Sequence, residues 1–454
     1  MYCHKQQMHV LIIGGSDAGI SAGLRIQELD SSVEVSIILR DKYPNFSICG
    51  LPFLISGETN SADQLAHRSL ADLESAGLTI IAETNITSVD AANRCAIAET
   101  GKRFNYDKLI LATGAISRLP DIIGRDLPGV FSLRWMGDAL RMQSYLEQRK
   151  PSHGVIIGGG YIGLEMADGL HQRGIKLAII EHNPALLRTV HPSLAEPLHH
   201  CLAERGIDIH TGTSVSGIRV AGEGLIVELS NGTVLATELV LMAVGAVPAN
   251  QLAASAGVSL GCGGAMAIDR QMRTGVVDIW AAGDGVETYH RMLKRNTYMP
   301  LGTNSHKQGR IAGENAIGGY KEYAGTLGTQ VVKVFDQVIA RTGWRDREAQ
   351  QAGFDPLTVP FECWSHKAYY PGAGRLNFRL TGDQRTGQLL GAQLIGPWGQ
   401  EVSKRIDTFA NALFHAMTVE ELNDLDLSYT PPLSSPWDPV QMAAQHWCRQ
   451  ASSS

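Results

Sequence analysis

No Cys-x-x-Cys pair occurs in this chain, and its seven cysteines, at 3, 49, 95, 201, 262, 363 and 448, follow no repeating spacing. An odd, scattered set does not read as a disulfide framework, and neither a cysteine zinc site nor any other metal centre is expected. Long apolar runs are missing too. The longest, residues 10–13 and 239–244, fall far short of the roughly 20 residues that cross a bilayer. The opening MYCHKQQMHV lacks the apolar region of a secretory signal. A basic excess is also absent: 39 Lys and Arg face 45 Asp and Glu, net −6, so neither nucleic acid nor a membrane is an expected partner. What these absences leave is a protein of the reducing cytoplasm. Its 454 residues, 44% apolar, allow roughly three domains at about 150 residues each.

Two glycine loops are present. The apolar run at 10–13 leads into Gly14-Gly15-Ser16-Asp17-Ala18-Gly19, then a helical pattern through Leu29. Strand, glycine turn and helix together offer free N–H groups to a pyrophosphate. Ser16 stands where the usual pattern has its middle glycine. The second loop is complete. Residues 155–157 run into Gly158-Gly159-Gly160-Tyr161-Ile162-Gly163, and a helical stretch to Arg173 follows, with Gly174 as its stop. Glu181 ends the next apolar run, about 20 residues on, where an acid accepts from a ribose 2′-hydroxyl and repels a 2′-phosphate. That favours NADH over NADPH. Two such loops imply two bound dinucleotides, a resident flavin and a visiting nicotinamide.

Three further segments complete a resemblance to the pyridine nucleotide-disulfide oxidoreductase superfamily: Tyr106 to Ala115 with Ala112-Thr113-Gly114, Leu241 to Asn250 with Gly245, and Asp278 to Asp284 with Gly283-Asp284. The resemblance covers essentially the whole chain. It implies an α/β fold of two Rossmann-like dinucleotide-binding domains, one inserted in the other, plus a C-terminal α+β dimerisation domain. The implied boundaries are 1–117 with 250–324 for FAD, 118–249 for NAD(P)H, and 325–454 for the interface of a homodimer. Asp284 would bind the ribityl chain of FAD, and a helix over 305–318 would aim its N-terminus at the flavin. Leu39 occupies the position where the family usually has an acid for the adenosine ribose, so Arg40 and Asp41 are the nearest substitutes. Tyr161 would cover the flavin face and Glu165 would contact the nicotinamide amide.

Cys49-Gly50-Leu51-Pro52-Phe53 closely resembles the active-site segment of the branch with one redox cysteine: coenzyme A-disulfide reductases, NADH oxidases, NADH peroxidases and persulfide reductases. With no sulfur neighbour, Cys49 would exchange with the substrate's own sulfur, forming a mixed disulfide. The site is expected to lower the Cys49 pKa, since the thiolate is the reactive form. In the oxidases and peroxidases a histidine within the first loop assists the cysteine; Asp17 stands in that slot, which disfavours peroxide reduction. Tyr369-Tyr370-Pro371 and Ser428-Tyr429-Thr430 resemble the two tyrosine motifs of coenzyme A-disulfide reductases, in which the tyrosines reach the cysteine from the partner subunit. Tyr429 and one of Tyr369 and Tyr370 are therefore catalytic candidates. Cys363, Cys448 and the Cys3–His4 pair are minor sulfur candidates.

The implied enzyme is an FAD-dependent NAD(P)H reductase of low-molecular-weight disulfides or persulfides, with coenzyme A disulfide first among substrates. Basic residues for a coenzyme A tail would come from Arg40, Lys42, Arg68 and Lys307. The alternatives are an NADH oxidase or peroxidase working through a Cys49 sulfenic acid, and a flavoprotein carrier or sensor in which Cys49 does not turn over. Beyond residue 325, strand patterns at 330–335, 338–342, 376–380 and 389–395 alternate with turn formers, and helical patterns follow at 399–416 and 418–422.

Overall fold

The computed structural model describes residues 7–453. Five apolar segments form one parallel sheet in the order Ile279–Ala281, Lys108–Leu111, His9–Ile13, Glu34–Ile38, Leu78–Ile81. Val10, Leu11 and Ile12 in its centre are fully buried, as a continuous apolar strand demands when both faces are covered. Against this sheet lie the helices Asp17–Leu29 and Gly302–Ala316. They cross so closely that a Cβ on Gly309 or Gly313 would stand 2.2 Å or 2.4 Å from the carbonyl oxygens of Ala18 or Ala22.

A second parallel sheet repeats the first, in the order Asp208–Thr211, Lys176–Glu181, His153–Ile157, Leu239–Met242, Val130–Ser132. The repeat extends to single atoms. Gly14 N donates to Ile38 O at 2.8 Å, and Gly158 N donates to Ile180 O at 2.8 Å. Both glycines have positive φ, 119° and 112°, which the turn out of each central strand requires. The antiparallel ribbon of Ala115–Ser117 with Ala246–Pro248 carries the chain out of the first unit and back into it. The second unit is thus inserted in the first.

The third sheet is antiparallel, in the order Gln330–Val334, Gln337–Gly343, Leu389–Pro397, Arg375–Asp383, Pro356–Trp364. Helices Val402–Phe414 and Pro439–Ala451 close one face over Leu376, Phe378, Phe409 and Trp447. The Trp447 indole donates to Leu357 O at 2.8 Å and tethers the last helix. Differences from the sequence reading are local. The helix expected from 305 begins at Gly302, and the strand Pro356–Trp364 and the helix Pro439–Ala451 are additions. Among the described residues, no helix is long and apolar enough to cross a membrane, and no group of three or more His, Cys, Asp or Glu could hold a metal ion.

Candidate active site

The first glycine loop is tight for a steric reason. A Cβ on Gly14 would stand 2.0 Å from Ala112 O, and one on Gly19 would stand 1.8 Å from Gly14 O. Ser16 is the N-cap of the Asp17–Leu29 helix, yet its side chain caps nothing, and its buried hydroxyl has no protein partner. A buried hydroxyl left unpaired is costly. Here it sits at a helix N-terminus in a cleft of about 480 Å³. The cleft is lined by Gly14, Ser16, Asp17, Ala112, Thr113 and Gly114, and by Arg40, Asp41, Gly283 and Asp284. An unpaired hydroxyl at a helix N-terminus and walls held back by glycine fit the pyrophosphate and ribityl parts of FAD.

Arg40 stacks over Trp135 at 5.3 Å, and an Asp41 carboxylate oxygen accepts from Tyr43 N at 2.9 Å. Both side chains line the cleft, with Asp41 partly occupied in its own turn. Burial raises the Asp41 carboxyl, opposed by the Tyr43 amide and Arg40. Asp284 is held by two partners: Arg134 donates to it at 2.5 Å and Ser305 Oγ at 2.8 Å. Arg134 was not singled out in the sequence. It precedes the Met136–Arg149 helix and lines the same cleft as Arg40, 150 residues away in the chain from its partner.

The second loop is built alike, with a Gly163 Cβ position 1.9 Å from Gly158 O. Gly160 is the N-cap of the Tyr161–Gln172 helix. Glu181 is only 7% exposed, and its carboxylate accepts from Gly159 N at 2.8 Å and from Asn183 N at 2.8 Å. The acid at the end of the strand is thus itself a brace of the loop. Gly245 follows the strand Leu239–Met242 with φ 103° and has open space around it. Tyr161 is held by Thr189, whose hydroxyl donates to the Tyr161 hydroxyl at 3.0 Å. Thr189 is held in turn by the third sheet, because Arg341 donates to Thr189 O at 2.7 Å.

Cys49 lies in the turn Ile48–Gly50, which runs into the helix Leu51–Ser56. That helix packs on Tyr161–Gln172: a Cβ on Gly169 would touch Ser56 Cβ at 3.0 Å, and the Arg173 guanidinium donates to Ile55 O. The lone sulfur therefore sits where the two nucleotide units meet. Gly50 has ordinary φ, and an added Cβ would meet a Leu65 methyl at 2.6 Å, so close packing explains it better than turn geometry. One expectation is overturned: the surrounding protein raises the Cys49 thiol instead of lowering it. Surrounding protein mass is the largest cause, followed by the carboxylates of Glu165 and Asp17; Arg134 opposes them, and Asp284 adds to the rise. Cys49 is nonetheless open to solvent.

Burial holds the Glu165 carboxyl up, to about 7. A raised acid stabilises the fold fully below its ordinary value of about 4.5, and that stability is lost as pH rises through 7. Above pH 7 the carboxylate also opposes the Cys49 thiolate. In Glu165→Gln, Cys49 should react about three- to tenfold faster with iodoacetamide at pH 8. The ratio of mutant to wild-type rate should fall toward one at pH 6. Alkylation followed by mass spectrometry checks this, and a ratio independent of pH would refute it.

The tyrosines are elsewhere. Tyr369 is 74% exposed, Tyr370 42% and Tyr429 44%, all on the third domain and open to solvent in one protomer. Cys363 is buried in the third core, its thiol pushed to about 12 by burial against the opposing Arg405. Cys448 packs beside the same core and is raised by burial as well. Neither thiol is disposed to react. Cys3 and His4 lie outside the described residues.

Comparison with known proteins agrees with this geometry. The family model "Pyridine nucleotide-disulphide oxidoreductase" matches residues 8–309, and its dimerisation-domain model matches 329–439. An NADH oxidase of Methanocaldococcus jannaschii is 31% identical, over 96% of this chain and 98% of its own. The NAD(P)H coenzyme A polysulfide/persulfide reductase of Pyrococcus horikoshii is also 31% identical, over 96% and 97%. The structure of an NAD-dependent persulfide reductase from A. fulgidus superposes with a TM-score of 0.94 at 31% identity, covering 98% of this chain and 84% of that one. With both nucleotide units and the third domain matched in one continuous alignment, the chain belongs to the pyridine nucleotide-disulphide oxidoreductase family, whose enzymes work with FAD and NAD(P)H.

Proposed function

We propose that the protein is an FAD-dependent NAD(P)H reductase of low-molecular-weight disulfides or persulfides, with coenzyme A disulfide as the leading substrate. The observation that carries this reading is the position of Cys49, a solvent-open thiol at the junction of the two nucleotide units with no sulfur neighbour. FAD bound in this cleft would supply the relay chemistry between the hydride of a nicotinamide and the electron pair needed at sulfur. The chain's own part is nucleophilic. The Cys49 thiolate attacks one substrate sulfur, the Cys49–substrate bond forms, and the second substrate thiolate departs. Arg134, opposing the surrounding carboxylates, favours that thiolate.

In this reading Gly14, Ser16, Ala18, Gly19, Arg40, Asp41, Ala112, Thr113, Gly114, Gly283 and Asp284 hold FAD. Gly158, Gly160, Tyr161, Ile162, Gly163, Glu165, Glu181 and Gly245 receive the nicotinamide nucleotide. The fixed Glu181 charge disfavours a 2′-phosphate, so NADH is preferred. The exposed Tyr429 and one of Tyr369 and Tyr370 act on Cys49 of a partner subunit in a cytoplasmic homodimer, donating a hydrogen bond or a proton to sulfur. A second reading, NADH oxidation through a Cys49 sulfenic acid, draws on the similarity to an NADH oxidase and on an unexpected histidine beside Asp17. Anaerobic assays with NADH decide between them. Rapid turnover with coenzyme A disulfide is expected, with little on hydrogen peroxide; turnover on peroxide or oxygen alone would replace the first reading with the second.

A further inference from the structure

The proposed reduction, disulfide + NADH + H⁺ → two thiols + NAD⁺, draws one proton from solvent in each turnover. The thiolate displaced when Cys49 attacks needs a proton at the site, and the side chains around Asp17 are arranged to deliver one. Asp17 opens the Asp17–Leu29 helix and lines the flavin cleft. Its Oδ1 lies 3.5 Å from Nε2 of His306 on the facing Gly302–Ala316 helix. The other ring nitrogen of His306, Nδ1, is fixed by the Ser21 hydroxyl at 2.9 Å. The ring of His67 stands edge-on at 6.4 Å. His67 is fixed beside the cysteine segment, since its amide donates to Asn45 O at 3.0 Å.

Exposure falls along this path. The His306 side chain is 48% exposed and that of Asp17 only 19%. The separation is set by backbone: the two helices meet through Gly309 and Gly313, where any Cβ would collide with the facing carbonyls. Asp17 is therefore a carboxyl on the inner side of a histidine that water reaches.

We propose that Asp17 and His306 form a proton relay to the sulfur site, a reading that rests on Cys49 acting on disulfides. As the Cys49–substrate S–S bond forms and the substrate's own S–S bond breaks, the departing sulfur takes the Asp17 proton. Asp17 takes a proton from His306, and His306 takes one from water. In this exchange Cys49 is oxidised from thiolate to mixed disulfide and the departing sulfur is reduced to a thiol; the NADH-derived pair later cleaves the mixed disulfide, returning Cys49 to its thiolate and releasing the second thiol. The groups around Asp17 are His306, Asp284, His67 and Arg134, and the cysteine segment borders the same cleft through Ile48, with Asn45 N donating to Gly15 O at 2.8 Å. Burial raises the Asp17 carboxyl, and Asp284 adds to this against His306, His67 and Arg134. That direction keeps a proton on Asp17 at higher pH than an exposed aspartate would hold one. The assignment also changes the meaning of Asp17 in the first loop: the histidine is present, but it arrives from another helix.

The test separates leaving groups. Holoenzyme with reduced Cys49 is mixed, without NADH, with coenzyme A disulfide or with 5,5′-dithiobis(2-nitrobenzoate), whose low-pKa aromatic thiolate departs without protonation. His306→Gln should slow attack on coenzyme A disulfide about tenfold above pH 7, a modest share of what general acids supply, and leave the aromatic disulfide unchanged. Asp17→Asn removes a carboxylate that raises Cys49, which shifts both rates by a common factor, so there the ratio of the coenzyme A disulfide rate to the aromatic rate is what should fall about tenfold. A merely structural role would slow both disulfides alike; that result, or no change with either, overturns the relay. If wild-type Cys49 fails to react with coenzyme A disulfide while reacting with the aromatic one, the reductase reading fails instead, and the relay with it.

Discussion

Cys49→Ser is expected to lower NADH-dependent disulfide turnover by on the order of 10³-fold or more while leaving one flavin per chain. A serine hydroxyl cannot form or exchange an S–S bond, so no weakened version of the same step remains. No other described thiol is placed to replace it. Cys201 and Cys363 are buried and pushed to about 12, in both cases by burial first. Cys262 is exposed, but its Sγ donates to Asn296 O, and burial and Glu287 raise it. The fold should tolerate the change, because Cys49 is open to solvent and its neighbours Leu51 and Leu54 do the local packing. Absorbance at the flavin band checks cofactor content, and coupled NADH oxidation checks turnover. Undiminished turnover with full flavin would show that electrons leave by a route that does not use this sulfur.

Gly163→Val has the second largest expected effect, and it separates the two nucleotide units. The Gly163 Cβ position is 1.9 Å from Gly158 O, well inside contact distance, so any side chain prises the helix from its strand. Overpacking costs about 1–3 kcal/mol, and a shift of about 2.7 kcal/mol is ~100-fold in affinity. NADH affinity should fall by that order, whereas FAD, which we assign to the loop at Gly14–Gly19, should stay. Gly19→Val is the mirror experiment, with 1.8 Å at the equivalent contact, and should lose flavin first. Equilibrium titration with NADH and flavin quantification read the two outcomes. Equal loss of both cofactors in Gly163→Val would mean that the second loop supports the whole fold and does not report on one site.

Both glycine loops were legible because their chemistry is local: strand, turn and helix follow within about 25 residues, and each glycine answers to a nearby carbonyl. Cys49 was legible through the segment around it. What stayed hidden depends on residues far apart in the chain. Arg134 reaches Asp284 across 150 positions, and His306 reaches Asp17 across nearly twice that span, so no spacing rule exposes either pair. The rise of the Cys49 thiol was hidden for the same reason, since Glu165, Asp17 and Asp284 converge on it from three separate segments. The strand Pro356–Trp364 escaped notice because Pro356 and Pro360 argue against a central strand. It lies at the edge of its sheet, where proline's missing donor costs little. The helix Pro439–Ala451 carried a proper start, Pro439 at its first turn after the Asp438 cap, but its apolar face is interrupted by polar residues.

The third sheet does more than offer a surface to a second copy. Arg341 grips Thr189, Arg345 donates to Arg188 O at 2.8 Å, and Gln393 accepts from His191 N at 2.6 Å. Three side chains of one region thus grasp a single four-residue stretch of another, and that stretch carries the hydroxyl steadying Tyr161. The third domain is thereby a brace for the second nucleotide unit, and a displacement of its strands would be felt first at the start of the Tyr161–Gln172 helix.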